Sequence, residues 1–319
     1  MGRACYQSRM NDKSLRAFDS RLLAFFVKGL LFLVLFAKAH QIYMKKSILL
    51  LVALLILASF TTHKEVTWMA IGDSITYMNG RPELSKNRIS KGYMDDVAEK
   101  LPYVKFTNNG HSGWTAKGIA DNINNLNLVK TDIYSVFLGT NDWWSCLPLG
   151  AFTDYENNTG NQTVYGAYRT IIDKIRSLNN DAVIILMTPL HRTDYVDLNS
   201  PSVFIHGDYA PNKDGVYLSQ YADAIKAIAK AEHCKLVDLY HKSGVTDKNA
   251  VNYRRLRDPQ TNEYKNYTYP EYTTIPYHPA TDDYPYPPEA MNWVYDGLHP
   301  SDKGHQRIAD MLVKIIRKL

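Results

Sequence analysis

Cysteine is scarce in this chain: 319 residues hold three, at positions 5, 146 and 234. None are spaced like the ligands of a structural zinc site, which excludes a metal-stapled small fold. Cys5 lies in a basic leader. Cys146 and Cys234 are left either to form one disulfide in an exported protein or to pack as two thiols. Basic charge is also missing where a nucleic-acid partner would need it. Residues 1–63 hold nine Lys/Arg against two Asp/Glu, a charge of +7; the whole chain carries +5, so the remainder carries −2. A near-neutral domain lacks the clustered Lys/Arg of a nucleic-acid surface. What is present suits an ordinary large domain: 45% hydrophobic residues bury a sizeable core, and 22% charged residues keep it soluble.

Two apolar runs precede residue 63. The first, Leu22 to Ala39, is interrupted by Lys28 and Lys38. The second follows Met44-Lys45-Lys46-Ser47 and runs from Ile48 to Ala58 without a charge. A start methionine, two lysines and a short apolar run match a secretory signal peptide. A membrane span needs roughly 20 apolar residues. The expectation is that residues 1–43 are an over-extended start, 44–62 a signal peptide or N-terminal anchor, and 63–319 the exported domain. The alternative is a membrane hairpin or anchor over Leu22–Phe60. No clean Ala-x-Ala follows Leu57, so the cleavage site is weak; no Cys follows the run, which argues against a lipoprotein anchor.

From Val66 onward, short apolar runs bounded by turn residues alternate with amphipathic stretches. The runs are Val66–Ile71, Val104–Thr107, Ile133–Leu138, Ala182–Met187 and Lys235–Leu239. They read as buried parallel strands. Lys91–Leu101, Tyr165–Leu178, Leu218–Glu232 and Asp302–Leu319 carry one apolar stripe each and read as helices. Such alternation predicts an α/β domain, an open parallel sheet of five strands with helices on both faces. Active sites of these sheets lie outside the carboxyl ends of the strands. The polar clusters after the first three runs fall there. Lys242–Val294 breaks the alternation. With seven prolines, and nine tyrosines counted up to Tyr295, it reads as an ordered insertion beside the site rather than as disorder.

Those clusters contain the parts of a nucleophilic hydrolase. A serine hydroxyl needs a base, a carboxylate to orient that base, and donors for the oxyanion. Ser74 follows Gly72-Asp73 on a sharp strand-to-helix turn, and Asp296-Gly297-Leu298-His299-Pro300 places a carboxylate and an imidazole three residues apart. Each piece alone has a plainer reading as a turn or a helix cap. Together, Gly72-Asp73-Ser74-Ile75-Thr76, Asn109-Gly110-His111-Ser112-Gly113, Gly139-Thr140-Asn141-Asp142 and Asp296-Gly297-Leu298-His299-Pro300 resemble, in order, the four blocks of the SGNH (GDSL-like) hydrolases. The resemblance implies a flavodoxin-like three-layer α/β/α sandwich and metal-free ester hydrolysis. It assigns Ser74 as nucleophile, His299 as base and Asp296 as its orienting partner. It also assigns the oxyanion donors: the Ser74 and Gly113 N–H groups and the Asn141 amide. Asp142 is expected to brace its loop. Asp73, His111, Trp143, Trp144, His191 and Arg192 are candidate substrate contacts. One of the two tryptophans is expected in the core, and the plain alternative for Arg192 is a surface ion pair.

The expected function is hydrolysis of an ester, foremost an O-acetyl ester on carbohydrate, since the insertion's tyrosines offer flat faces for sugar rings. Arg192 would then suit a uronate. A lipid or aryl esterase, and a non-catalytic glycan-binding protein on the same fold, are the alternatives. No metal, cofactor, nucleic acid or stable protein partner is expected.

Overall fold

The computed structural model describes residues 12–59 and 64–319, excepting the side chains of 12–24, 39 and 53–59. It divides into two units, Met1–His63 and Lys64–Leu319. In the first, one unbroken helix, α1 (Asp12–Ser59), carries both apolar runs. Its Phe25–Val52 stretch is long and apolar enough to cross a membrane, a test that a signal sequence near the N-terminus also passes. Because the helix continues through Lys38 and Met44, the described residues form no hairpin. The expected cleavage region runs into residues 60–63, and Cys5 also lies outside the described residues.

The second unit is built on strands β1 (Val66–Gly72), β2 (Val104–Gly110), β3 (Ile133–Phe137) and β4 (Val183–Met187), with short β5 (Tyr195–Val196) and β6 (Phe204–Ile205), then β7 (Lys235–Val237), β8 (Arg254–Arg257) and β9 (Tyr264–Tyr267). Five of them pair in the order β2-β1-β3-β4-β7, all parallel. This is the flavodoxin-like order, whose direction reverses between its first and third strands. All five strands expected from the apolar runs are present. Alternate residues explain why they read as continuous apolar runs: in β1, Trp68 and Ala70 pack into one core, while Met69 and Ile71 pack into the other. A parallel sheet covered on both faces requires this.

The helices are α2 (Ser74–Tyr77), α3 (Tyr93–Lys100), α4 (Ala116–Asp121), α5 (Thr140–Trp144), α6 (Phe152–Glu156), α7 (Val164–Leu178), α8 (Leu218–Ala231), α9 (Leu239–Lys242) and α10 (Asp302–Ile316). α3 and α10 cover one face with Met94, Val97, Ile308 and Leu312. α4, α7 and α8 cover the other with Ile119, Ile171, Ile175, Ile225 and Ile228. Each such side chain removed from water stabilises the fold by about 1.5–3 kcal/mol before entropy is counted. Cys146 and Cys234 are free thiols, so the disulfide alternative is not realised.

The 242–294 insertion is ordered, as expected, but it does contain regular structure. β8 and β9 form an antiparallel hairpin in which Arg254 pairs with Tyr267 and Arg257 with Tyr264. The hairpin is only four residues a side and rich in arginine, so its sequence shows no apolar alternation. Tyr272 and Tyr286 are buried in the same core as α3 and α10. Tyr286 donates to the Asp194 carbonyl, Tyr284 to the Val196 carbonyl at 3.0 Å, and buried Arg254 pairs with the Asp194 carboxylate. The insertion therefore holds the loop that follows β4.

Candidate active site

β1 ends at Gly72, and Asp73 caps α2 by accepting the Ile75 N–H at 3.0 Å. Ser74 is thereby fixed as the first residue of the helix. Facing it is the turn that precedes α10. Tyr295 N–H donates to the His299 carbonyl at 3.0 Å and closes that turn. Within it, Asp296 Oδ1 accepts the Leu298 and His299 N–H groups at 3.0 and 2.7 Å. Its Oδ2 lies 2.7 Å from His299 Nδ1, and His299 Nε2 lies 2.9 Å from Ser74 Oγ. A carboxylate only accepts, so Nδ1 carries the proton and Nε2 is left to accept from the hydroxyl. Gly297 makes the turn possible. Its φ is +92°, and a Cβ there would sit 1.9 Å from the Asp194 carbonyl oxygen. Only glycine satisfies both conditions.

Burial alone would lower the His299 pKa, but the Asp296 charge and hydrogen bond, with Asp73 behind them, turn the net shift upward. The Tyr195 ring meets the imidazole edge-on at 5.5 Å, and the Tyr295 ring stacks on it at 5.9 Å. Burial also pushes the Asp73 carboxyl up to about 6. Were His299 to act as a base, its protonation would set the pH dependence. A base must be neutral, and a raised pKa keeps it protonated to higher pH. Activity is therefore expected to rise with pH through an apparent pKa above the free value of about 6.5. A kcat/KM profile flat down to pH 5 would contradict it.

The loop after β2 is tied to the serine turn by the His111 N–H, which donates to the Gly72 carbonyl at 2.8 Å. Gly113 follows with φ +78°, a left-handed conformation that suits glycine. Asn141 Nδ2 donates one hydrogen to the Trp114 carbonyl at 2.9 Å, which fixes the amide and leaves its second hydrogen available. Asp142 is fully buried and accepts the Ala116 N–H at 2.8 Å. Burial pushes its carboxyl up to about 7. It links the loop after β3 to the start of α4, and so braces the two segments that carry Gly113 and Asn141.

A cavity of about 180 Å³ opens over Ser74, Ser112, Asp296 and His299. Its walls are Tyr77, Met78 and Leu84 on one side, and Tyr195, Asp197, Leu198, Asn199 and Tyr295 on the other. None of the six candidate substrate contacts lines it. Asp73 is buried as a helix cap. His111 pairs with Asn109 Oδ1 at 3.1 Å and stacks on Trp114. Trp143 is in the core, its indole N–H donating to the Val216 carbonyl at 2.9 Å. Trp144 packs under Tyr195, Ile205 and Leu298. Arg192 forms no surface ion pair: it is buried beneath the site, its guanidinium over the Trp143 ring and one nitrogen donating to the Ile205 carbonyl at 3.3 Å. Residues adjacent in sequence to loop ends thus point inward. The wall residues Tyr195 and Asp197 were missed because the two-residue strand β5 leaves no periodic signal. Tyr295 had one, as the neighbour of Asp296.

His191 is drawn into a different group. Its Nδ1 lies 2.8 Å from Asp208 Oδ2 and 3.9 Å from Asp247 Oδ1, and its ring stacks on Tyr240. The three ligand atoms lie within 4.8 Å of one another, spacing that suits a divalent cation, but none of the three residues lines the cavity. Asp208 also accepts the Arg192 N–H at 3.2 Å, so the group also anchors the loop after β4.

The family model described as the GDSL-like Lipase/Acylhydrolase family matches residues 70–307. The chain belongs to this family. A solved structure described as a possible lipase from Chitinophaga pinensis DSM 2588 is 48% identical to this GDSL-like hydrolase. The match covers 80% of this chain and 98% of that one, with a TM-score of 0.78. A Lactobacillus plantarum protein of known structure is 21% identical over 80% of this chain and 99% of its own, with a TM-score of 0.53, and shares the fold. No curated protein matches the chain. The matched span includes all four sequence blocks, from Gly72 to Pro300.

Proposed function

We propose that this GDSL-like hydrolase is a serine esterase in which Ser74, His299 and Asp296 act as a triad. The observation that carries the reading is the unbroken hydrogen-bond chain from Asp296 through His299 to Ser74, opening onto a cavity. In this mechanism Ser74 Oγ attacks the acyl carbon as His299 Nε2 takes its proton. Asp296 stabilises the imidazolium through Nδ1–H. The oxyanion that forms is held by the Ser74 and Gly113 N–H groups and the free hydrogen of the Asn141 amide. His299 then returns the proton to the departing alcohol, and water repeats the sequence on the acyl-serine.

The acyl group is short, foremost acetyl. Pockets for drug-sized ligands span about 300–1,000 Å³, and this one is about 180 Å³. A carbohydrate alcohol is supported by the polar side chains of Ser112, Asp197 and Asn199 in the cavity lining. A lipid ester is the second reading. Met78, Leu84 and Leu198 favour it, as does the description of the 48%-identical structure as a possible lipase. The apolar helix α1 supports export or tethering, with the hydrolase unit outside the cytoplasm.

One assay series tests these points on fractions of cells making the full chain. Turnover of p-nitrophenyl acetate is expected in the envelope or medium, with kcat/KM falling at least about tenfold from acetate to octanoate, the scale of a few methylenes excluded from a pocket. A preference for octanoate would transfer the assignment to the lipid reading. Activity confined to the cytosol would remove the export reading.

A further inference from the structure

The cavity wall carries a charge that the triad does not use. Asp197 directly follows β5, and both of its oxygens are engaged: Oδ1 accepts the Asn199 and Ser200 N–H groups at 2.7 and 2.8 Å, and Oδ2 accepts the Tyr195 hydroxyl at 2.7 Å. Tyr195 in turn packs edge-on against His299. Burial works against ionisation of Asp197, but the Tyr195 hydroxyl, the two N–H groups and nearby His299 more than offset it, so its carboxyl titrates below the usual range. Asp197 is therefore a fixed negative charge in the same cavity as Ser74 and His299.

Among the described residues, no lysine or arginine lines that cavity to balance it. Arg192 is buried beneath the site and committed to the Ile205 carbonyl. Three cations stand near the wall, and all are turned onto backbone; Arg88 donates to the Tyr286 and Tyr295 carbonyls at 2.6 and 3.4 Å. Arg81 lies over the Tyr77 ring and donates to the Tyr77 carbonyl at 2.7 Å. Lys86 Nζ donates to the Leu198 carbonyl at 2.9 Å. A ligand in the cavity thus meets the carboxylates of Asp197 and Asp296, the second already paired with His299.

We propose that Asp197 sets the charge selectivity of the site: it admits esters whose alcohol half is neutral or cationic and turns away those bearing a carboxylate. The inference rests on the esterase reading. With an uncharged acyl group such as acetyl, the charge that discriminates must lie on the alcohol. Among acetylated sugars, this selects neutral sugars or amino sugars over uronates. It reverses the role that Arg192 suggests from sequence.

The test compares 4-acetoxybenzamide with 4-acetoxybenzoate, esters of similar size that differ in charge, with p-nitrophenyl acetate alongside. The native protein should favour the amide by about tenfold or more in kcat/KM, the scale of one like-charge contact across a partly hydrated cavity. About 0.5 M salt, which shortens the screening length to roughly 4–5 Å, should narrow that ratio. Asp197→Asn keeps an Oδ1 acceptor for the two N–H groups, and it should bring the ratio to within about threefold. Equal turnover of both esters by the native protein would overturn the selectivity, as would faster turnover of the benzoate. So would an active Asp197→Asn protein with an unchanged ratio. If that variant fails to fold, the salt series on the native protein decides alone, and a salt-independent ratio overturns the proposal. Absence of turnover on all three esters would instead overturn the esterase reading, and the selectivity with it.

Discussion

Ser74→Ala is expected to lower kcat on p-nitrophenyl acetate by about 10⁵–10⁶-fold, the loss found when a serine nucleophile is removed from a working triad. The size of the effect follows from the geometry. Ser74 Oγ is the only side-chain oxygen within hydrogen-bond distance of His299 Nε2 among the described residues, at 2.9 Å. Without it the base has no hydroxyl to activate, and only the oxyanion donors remain. The fold should be unaffected, because Ser74 contributes no side-chain bond to the framework and its backbone stays capped by Asp73. Circular dichroism and activity measured on the same sample check both halves. A variant that keeps even a tenth of native turnover would place the nucleophile elsewhere.

Replacing Tyr264–Tyr286 by a short Gly/Ser link is expected to abolish activity on small and polymeric esters alike and to destabilise the protein by about 5 kcal/mol or more. Tyr272 and Tyr286 are fully buried, and loss of one large core aromatic typically costs about 3–5 kcal/mol. The deletion also removes the hydroxyls that hold the Asp194 and Val196 carbonyls. That loop in turn holds the Asp296–His299 turn: Thr193 N–H donates to the Gly297 carbonyl at 2.9 Å, and Val196 N–H to the Asp296 carbonyl at 3.2 Å. Buried Arg254 lies just upstream and would lose its partner strand while still facing Asp194. Thermal unfolding and parallel assays on p-nitrophenyl acetate and an acetylated polysaccharide test this. If the small ester is still hydrolysed and only the polymer is lost, the tyrosines serve substrate binding rather than bracing.

This second expectation shows where sequence reasoning fell short. Read along the chain, the insertion's tyrosines are aromatic faces near a carbohydrate site. In three dimensions, Tyr253, Tyr267, Tyr269, Tyr277 and Tyr284 pack on the core that encloses Tyr272 and Tyr286, and the cavity's aromatics come from Tyr77, Tyr195 and Tyr295. The polar tip of a tyrosine lets it serve either use, and composition cannot separate them. Arg192 misled in the same way. Its place after β4 suggested an exposed cation, yet it stacks on Trp143 in the interior.

The order of strands and helices was legible in the sequence because each obeys a local rule. A parallel strand buried on both faces must be largely apolar, as Ile133–Phe137 is apart from Ser135, whose hydroxyl accepts the Trp68 indole N–H at 2.9 Å. A covering helix must carry one stripe, as Val164–Leu178 does. The hydrogen-bonded group of Ser74, His299 and Asp296 was also legible, because these residues sit at chain-local turns whose residue types are constrained. The cavity's wall, its charge and the bracing of the catalytic turn were decided only by tertiary structure. Arg254 bonds Asp194 across 60 residues, and the Tyr195 ring packs on His299, contacts whose partners no local pattern names. A side chain's direction at a loop is set by what packs against it, and that is a property of the assembled fold.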